Sequence, residues 1–224
     1  MLPLSDDQPT RSFPLANLLV ILVNVYVFAG WQLRVRGGLE NSVELAGFIP
    51  IDYAHGAPGA MTHVITSMFM HGGWMHLIGN MWFLWVFGKS VENACGPIRY
   101  LAFYILCGAA ATGAYAWLSP TTTLPLVGAS GAISGILGAY LLRNPHARIT
   151  TLIPITIIVR IIPIPAWFFL LVWIGIQVLS QIAASSSKVH QAGGVAYLAH
   201  IGGFIAGMGL IYFFEQRKDT EEED

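Results

Sequence analysis

The sequence predicts an all-α, polytopic membrane protein folded as a bundle of six transmembrane helices. Three observations predict it. Of the 224 residues, 55% are hydrophobic and 10% charged, whereas a soluble domain carries about a quarter charged residues, so water is not the main solvent of this chain. Six apolar segments approach the length of about 20 residues that a helix needs to cross the hydrocarbon core. The basic residues gather in alternate connections between those segments, as they do in cytoplasmic loops.

The first thirteen residues are polar and read as a segment outside the membrane. The first span runs from Pro14 to Gln32; it lacks a basic start and a small-residue cleavage site, so it reads as a retained helix and not a signal peptide. The second runs from His71 to Lys89, the third from Ile98 to Leu118, the fourth from Gly128 to Leu142, the fifth from Ala166 to Ala183 and the sixth from Val195 to Phe214. The fourth is too short to face lipid along its length and is crowded with Gly131, Gly135, Gly138, Ala129, Ala132 and Ala139. Small residues let helices approach closely, which sets this span in the middle of the bundle. Residues 14–214 thus form the membrane domain, followed by an acidic tail, 215–224, that reads as a solvated terminus.

An even number of spans puts both termini on one side. That side holds Arg11, Lys89, Arg99, Arg143, Arg148, Arg160, Arg217 and Lys218, against Arg34, Arg36 and Lys188 on the other. The basic side is cytoplasmic by the positive-inside rule, and with no transit peptide in view the expected home is a cell membrane. Two connections are longer than turns. Arg34 to Met70 mixes apolar stretches with Gly, Pro and charge, which suits a loop dipping into the outer interface. Asn144 to Pro165 contains an apolar run broken by Pro154, Arg160 and Pro163 and reads as an interfacial segment.

A net charge of −1 gives no footprint for nucleic acid. Cys95 and Cys107 lack metal-ligand spacing and read as small core residues, so no metal or cofactor is expected.

Polar side chains are costly within a membrane, and each is by default a pointer to function. Three groups stand out: His71-Gly-Gly-Trp-Met-His76-Leu-Ile-Gly-Asn80 at the start of the second span, Gly128-Ala129-Ser130-Gly131 at the start of the fourth, and Ala199-His200 with Gly203 and Gly207 in the sixth. These spans all enter from the outer face, so their first turns share one leaflet. His76 and Asn80 lie four apart on one helical face, and His200 sits on a smooth glycine stripe. The set suits acyl transfer. A serine hydroxyl is a weak nucleophile until a base such as imidazole takes its proton. The oxyanion that follows needs donors, and the Ser130 amide at a helix N-terminus, with the side chains of Asn80 and His76, can supply them. Every Asp and Glu lies outside the outer halves of the spans, so a Ser130–His200 dyad is favoured over a triad. The same absence excludes a paired-aspartate protease, and there is no His-Glu-x-x-His zinc motif.

Taken together, His71-x4-His76-x3-Asn80, Gly128-x-Ser130-Gly131 and Ala199-His200-x2-Gly203-x3-Gly207 resemble the three signatures of rhomboid proteases, in order and on the matching helices. The resemblance covers about Pro50 to Phe214. It implies a six-helix rhomboid-like bundle with Ser130 as nucleophile, His200 as general base, and His76 and Asn80 as oxyanion donors. His71 matches a histidine that is usually structural. The implied substrates are single-span transmembrane proteins, cleaved near the outer leaflet of the lipid bilayer, with the fifth helix moving to admit them beside the second. Where some members carry a tyrosine that packs on the base, this chain has Ser134; the Trp-Arg pair that some carry after the first span is absent between Arg34 and Met70. The aromatics Trp82, Phe83, Trp85 and Phe87, with Trp167, Phe168, Phe169 and Trp173, read as lipid contacts or interface anchors. Two rival functions are a noncatalytic member of the same fold that binds membrane proteins to guide or hold them, which would typically lack the serine or the histidine, and a metal transporter using His63, His71, His76 and His200. A transport pathway would be expected to pair such histidines with carboxylates within the spans.

Overall fold

A computed structural model of the protein describes residues 1–10, 12–155, 158–186 and 196–216. Arg11, Lys188, His190, Arg217, Lys218, the expected start of the sixth span at Val195 and the acidic run Glu221 to Asp224 lie outside the described residues. The chain is mostly helical, and long helices stand where the sequence marks spans: α1 (Leu15–Tyr26, continued by a π-turn, Val27–Gln32), α5 (Trp74–Cys95), α6 (Pro97–Leu118), α7 (Ser130–Arg143), α8 (Ala166–Ser186) and α9 (Tyr197–Phe214). Among the described residues, four helical stretches are long and apolar enough to cross a membrane: Leu15–Gln32, Pro97–Leu118, Ala166–Ser185 and Tyr197–Phe214. α7, at 14 residues, is too short to meet that standard, and α5 is diluted by His76, Asn80, Lys89 and Glu92.

The connection after α1 is not an irregular loop. It folds into short helices α2 (Gly38–Ala46), α3 (Pro50–Ala54) and α4 (Ala60–Thr66), closed by a 3-10 turn at Ser67–Phe69. Gln32, at the end of the π-turn, ties this region to the start of α5. Its amide nitrogen donates to Ser42 Oγ and to the His71 carbonyl, each at 3.1 Å, and its oxygen accepts from the His71 amide at 2.9 Å.

α7 is the central helix. Every residue from Gly131 to Tyr140 is buried. A methyl group on Gly203 or Gly207 would collide with the backbone carbonyls of Gly131 or Gly135, and one on Gly131 would lie 2.7 Å from Ala111 Cβ on α6. The glycine stripe of α9 therefore sits backbone to backbone on α7, which is the close approach that small residues permit.

The all-α expectation needs correction at the other end of the bundle. β1 (Leu2–Asp6), β2 (Arg148–Ile155) and β3 (Ile158–Pro165) form an antiparallel sheet in the order β1-β2-β3. The run expected to be interfacial is a hairpin pairing Arg148 with Pro165 and Ile153 with Arg160. Its Ile, Thr and Val residues are β-branched and favour strands. The prolines fit because Pro3 and Pro163 lie on edge strands, and Pro154 lies beyond Leu152, where the pairing of β2 with β1 ends. One face of the sheet, with Ile149, Thr151 and Ile164, is buried against the bundle. The polar N-terminal segment is thus partly a strand, and Asp6 fastens it. The fully buried Asp6 carboxylate accepts hydrogen bonds from Ser90 Oγ at 2.6 Å and Tyr140 Oη at 2.8 Å, and pairs with Lys89 Nζ at 2.8 Å.

A second buried acid, Glu92 on α5, caps α1. Its two oxygens accept from the amides of Ala16 (3.0 Å) and Asn17 (2.7 Å), which the helix itself leaves without partners. Glu215, after α9, pairs with Arg143 at 2.8 Å, and the Gln216 amide donates to the Ala94 carbonyl at 2.9 Å. The C-terminal ends of α5, α7 and α9 therefore meet beside the sheet, and their N-terminal ends meet opposite.

Candidate active site

At that opposite end the polar motifs converge. Ser130 is the first residue of α7 and His200 lies in the first turn of α9. His200 Nε2 is 2.8 Å from Ser130 Oγ. This separation follows from the glycine contacts above, because α7 and α9 could not bring these side chains into reach with larger residues at Gly131 and Gly203. His200 is buried and Ser130 partly exposed. The first α7 amide to find a carbonyl along the helix is that of Ile133, to Ala129 at 3.0 Å. The amides of the preceding turn, including that of Ser130, point out of the helix end as donors.

α5 brings His76 and Asn80 to the same turn. The point of approach is Gly128, whose φ of +125° suits glycine and whose missing side chain leaves the room: a Cβ there would lie 2.8 Å from His76 Nε2 and 3.5 Å from Asn80 Nδ2. His76 Nδ1 accepts from the Gly72 amide at 3.3 Å, so the ring proton is on Nε2, the nitrogen facing Gly128. Asn80 Nδ2 is buried and has no hydrogen-bond partner among the described residues. A buried amide donor left open is costly, and this one is free for an acceptor arriving beside Ser130. A small cavity adjoins the hydroxyl on the α6 side, between Ser67, Gly108, Thr112, Gly128, Ser130 and Ala199.

His71 stands apart from this group. Its ring is fully buried, edge-on to His76 with centroids 5.2 Å apart, and its backbone is clamped by Gln32. Among the described residues, no three His, Cys, Asp or Glu side chains converge as a metal-ligand set.

Two residues beside His200 were not assigned to the site from the sequence, and both lie on α8: Gln177 was not singled out, and Trp173 was read as a lipid contact or interface anchor. Gln177 Oε1 is 2.8 Å from His200 Nδ1. Trp173, one turn earlier, lies against the His200 ring with centroids 6.1 Å apart and planes 34° from parallel, and stacks on Phe204. Trp173 is therefore a neighbour of the imidazole and not an outer lipid anchor. Phe87 and Phe169 are likewise buried against each other, whereas Trp85, Trp167 and Phe168 are exposed as lipid-facing residues should be. Ser134 is buried and donates to the Ser130 carbonyl at 2.7 Å. A signal for Gln177 was present, since it is an uncharged polar residue in the midst of the apolar stretch Ile174 to Leu179.

These features define a class: a helical membrane protein with a hydrogen-bonded serine–histidine pair between two helix starts. Comparison with known proteins carries the assignment further. The Rhomboid domain matches residues 58–217, and the chain belongs to the rhomboid family, as a multi-pass membrane protein. Rhomboid protein 1, mitochondrial, of Saccharomyces cerevisiae is 28% identical over 216 residues, covering 92% of this chain and 55% of that protein. Rhomboid protease GluP of Bacillus subtilis is 34% identical over 128 residues, covering 57% of this chain and 24% of that protein. Rhomboid-like protease 5 of Toxoplasma gondii is 36% identical over 155 residues, covering 67% and 16%. The chain thus spans about half the length of the first of these relatives and a quarter or less of the other two.

Proposed function

We propose that the chain is an intramembrane serine endopeptidase that cleaves single-span membrane proteins near the outer leaflet through a Ser130–His200 dyad, without a cofactor. The observation that carries this reading is the 2.8 Å hydrogen bond between Ser130 Oγ and His200 Nε2. His200 Nε2 takes the hydroxyl proton as Ser130 Oγ attacks the scissile carbonyl. The oxyanion accepts hydrogen bonds from the Ser130 amide, Asn80 Nδ2 and His76 Nε2. The imidazolium then gives its proton to the leaving amine, and a water deprotonated by the same histidine hydrolyses the acyl-enzyme. Two of the relatives carry the word protease in their names, which supports the reading.

In this reading the membrane domain, 14–214, is a six-span bundle in which α5 and α7 cross at its centre. Shared burial explains why those two can be less apolar or shorter than the spans that meet lipid. Both termini lie on the cytoplasmic side of a cell membrane. Supporting this, Lys89, Arg143 and Arg148 all sit at the sheet end, in contact with Asp6, Glu215 and Asp7. The yeast relative is named as mitochondrial, so the host membrane is best established by localising the tagged chain.

The experiment is cleavage of a model single-span substrate in liposomes by wild type, Ser130→Ala and His200→Ala. Both variants should be inactive while keeping the wild-type elution profile and helical content. Normal cleavage by either would end the dyad reading.

A further inference from the structure

We propose that Gln177 is the positioning residue that fixes the tautomer of His200, taking the place that a carboxylate holds in a Ser-His-Asp triad. The inference rests on the dyad reading above. Each ring nitrogen of His200 has one partner: Nε2 meets Ser130 Oγ and Nδ1 meets Gln177 Oε1, both at 2.8 Å. An amide oxygen only accepts, so the ring proton belongs on Nδ1, and Nε2 offers its lone pair to the serine hydroxyl. The other tautomer would set a lone pair against the amide oxygen and leave Ser130 facing a nitrogen that cannot take its proton. When Nε2 receives that proton the ring becomes a cation. The Nδ1–H bond to Gln177 then strengthens, so it stabilises the transition state more than the resting state.

The surroundings explain why an amide stands there and not an acid. The α8 span is 11% buried, against 33% to 39% for the other three apolar spans. A carboxylate on so lipid-exposed a helix would carry the desolvation cost of an ion, whereas an amide carries much less. Trp173 and Gln177 are four residues apart and share one helical face. Together they hold the imidazole by its face and its edge. On α9 the neighbours Ala199, Gly202 and Gly203 are too small to brace the ring.

The test compares Gln177→Leu and Gln177→Glu with wild type in the liposome cleavage assay, with kcat and KM resolved. Leu keeps the bulk and loses the acceptor; Glu keeps an accepting oxygen in either protonation state. Gln177→Leu should lower kcat about 10- to 100-fold, the size of one hydrogen bond to a group that becomes charged, with KM within about twofold of wild type on the same reasoning. Gln177→Glu should keep most of the wild-type kcat. A packing role alone gives the reverse order, with Leu tolerated and Glu harmful. Wild-type kcat in Gln177→Leu, equal loss in both variants, or a loss confined to KM overturns the proposal. Ser130→Ala in the same assay separates the failures: if it cleaves, the dyad itself is wrong, whereas a dead Ser130→Ala beside a normal Gln177→Leu removes only the positioning role.

Discussion

Replacing Asp6 with alanine removes one carboxylate that holds three groups at the sheet end of the bundle. Ser90 Oγ and Tyr140 Oη both donate to it, and Lys89 Nζ pairs with it. Ser90 and Tyr140 are buried, so each is left as a donor without an acceptor, and hydrogen bonds to charged groups contribute about 1.5–3 kcal/mol each. The Lys89 side chain is 24% exposed and can turn its ammonium toward solvent, so its share is smaller. Relief of the cost of burying the carboxylate offsets part of the sum. A net loss of about 3–5 kcal/mol results, the usual range for breaking one side of a buried pair. At about 2–4 °C per kcal/mol for a chain of this size, the thermal midpoint falls by about 10 °C. The assay is built into the molecule: Cys95 and Cys107 are free and fully buried, so a thiol-reactive fluorophore in detergent reports unfolding as they become accessible. Asp6→Asn, which keeps one acceptor oxygen, should fall in between. Deletion of residues 1–7 should match Asp6→Ala, and combining that deletion with Tyr140→Phe should add little, because both act on one network. A midpoint for Asp6→Ala unchanged from wild type would refute the claim that β1 is fastened through this residue.

Two other expectations test the site and its scaffold. Asn80→Ala should lower kcat by about 10²-fold, the usual scale for one oxyanion donor, with little change in thermal midpoint because its amide nitrogen holds no partner among the described residues; unchanged kinetics would reduce Asn80 to packing. Gly207→Ala should cost about 1–3 kcal/mol by overpacking and depress cleavage, because a methyl group there meets the Gly135 backbone and drives α9 off α7, whereas Gly209→Ala, with open space at its Cβ, should be neutral in both respects.

The candidate site was legible in the sequence because three polar motifs stand at the starts of alternate expected spans, so residues at three separate helix starts were expected to share a depth. Ser130, His200, His76 and Asn80 were singled out on that reasoning and lie together in the structure, and the stripe of Gly203 and Gly207 announced the close contact with α7 that brings Ser130 and His200 within reach. The sheet was harder to read. An apolar run with prolines looks the same whether it lies in an interface or pairs as a hairpin, and β1 is five residues whose strand exists only because β2 and Asp6 hold it. Glu92 and Asp6 were read only as acids outside the outer halves of the spans, because their roles depend on partners 75 and more residues away. Gln177 was passed over because the sequence of its helix reads as otherwise lipid-facing, and one amide within it becomes informative only when His200 is placed opposite.

The central claim is that the hydroxyl of Ser130 is made nucleophilic by His200. Covalent labelling of the folded protein by a serine-directed fluorophosphonate, with the modified peptide located by mass spectrometry, tests it most directly. Wild type should carry the label on Ser130, Ser130→Ala should carry none, and His200→Ala should react far more slowly. Label on another residue, or equal labelling of wild type and His200→Ala, would contradict the account.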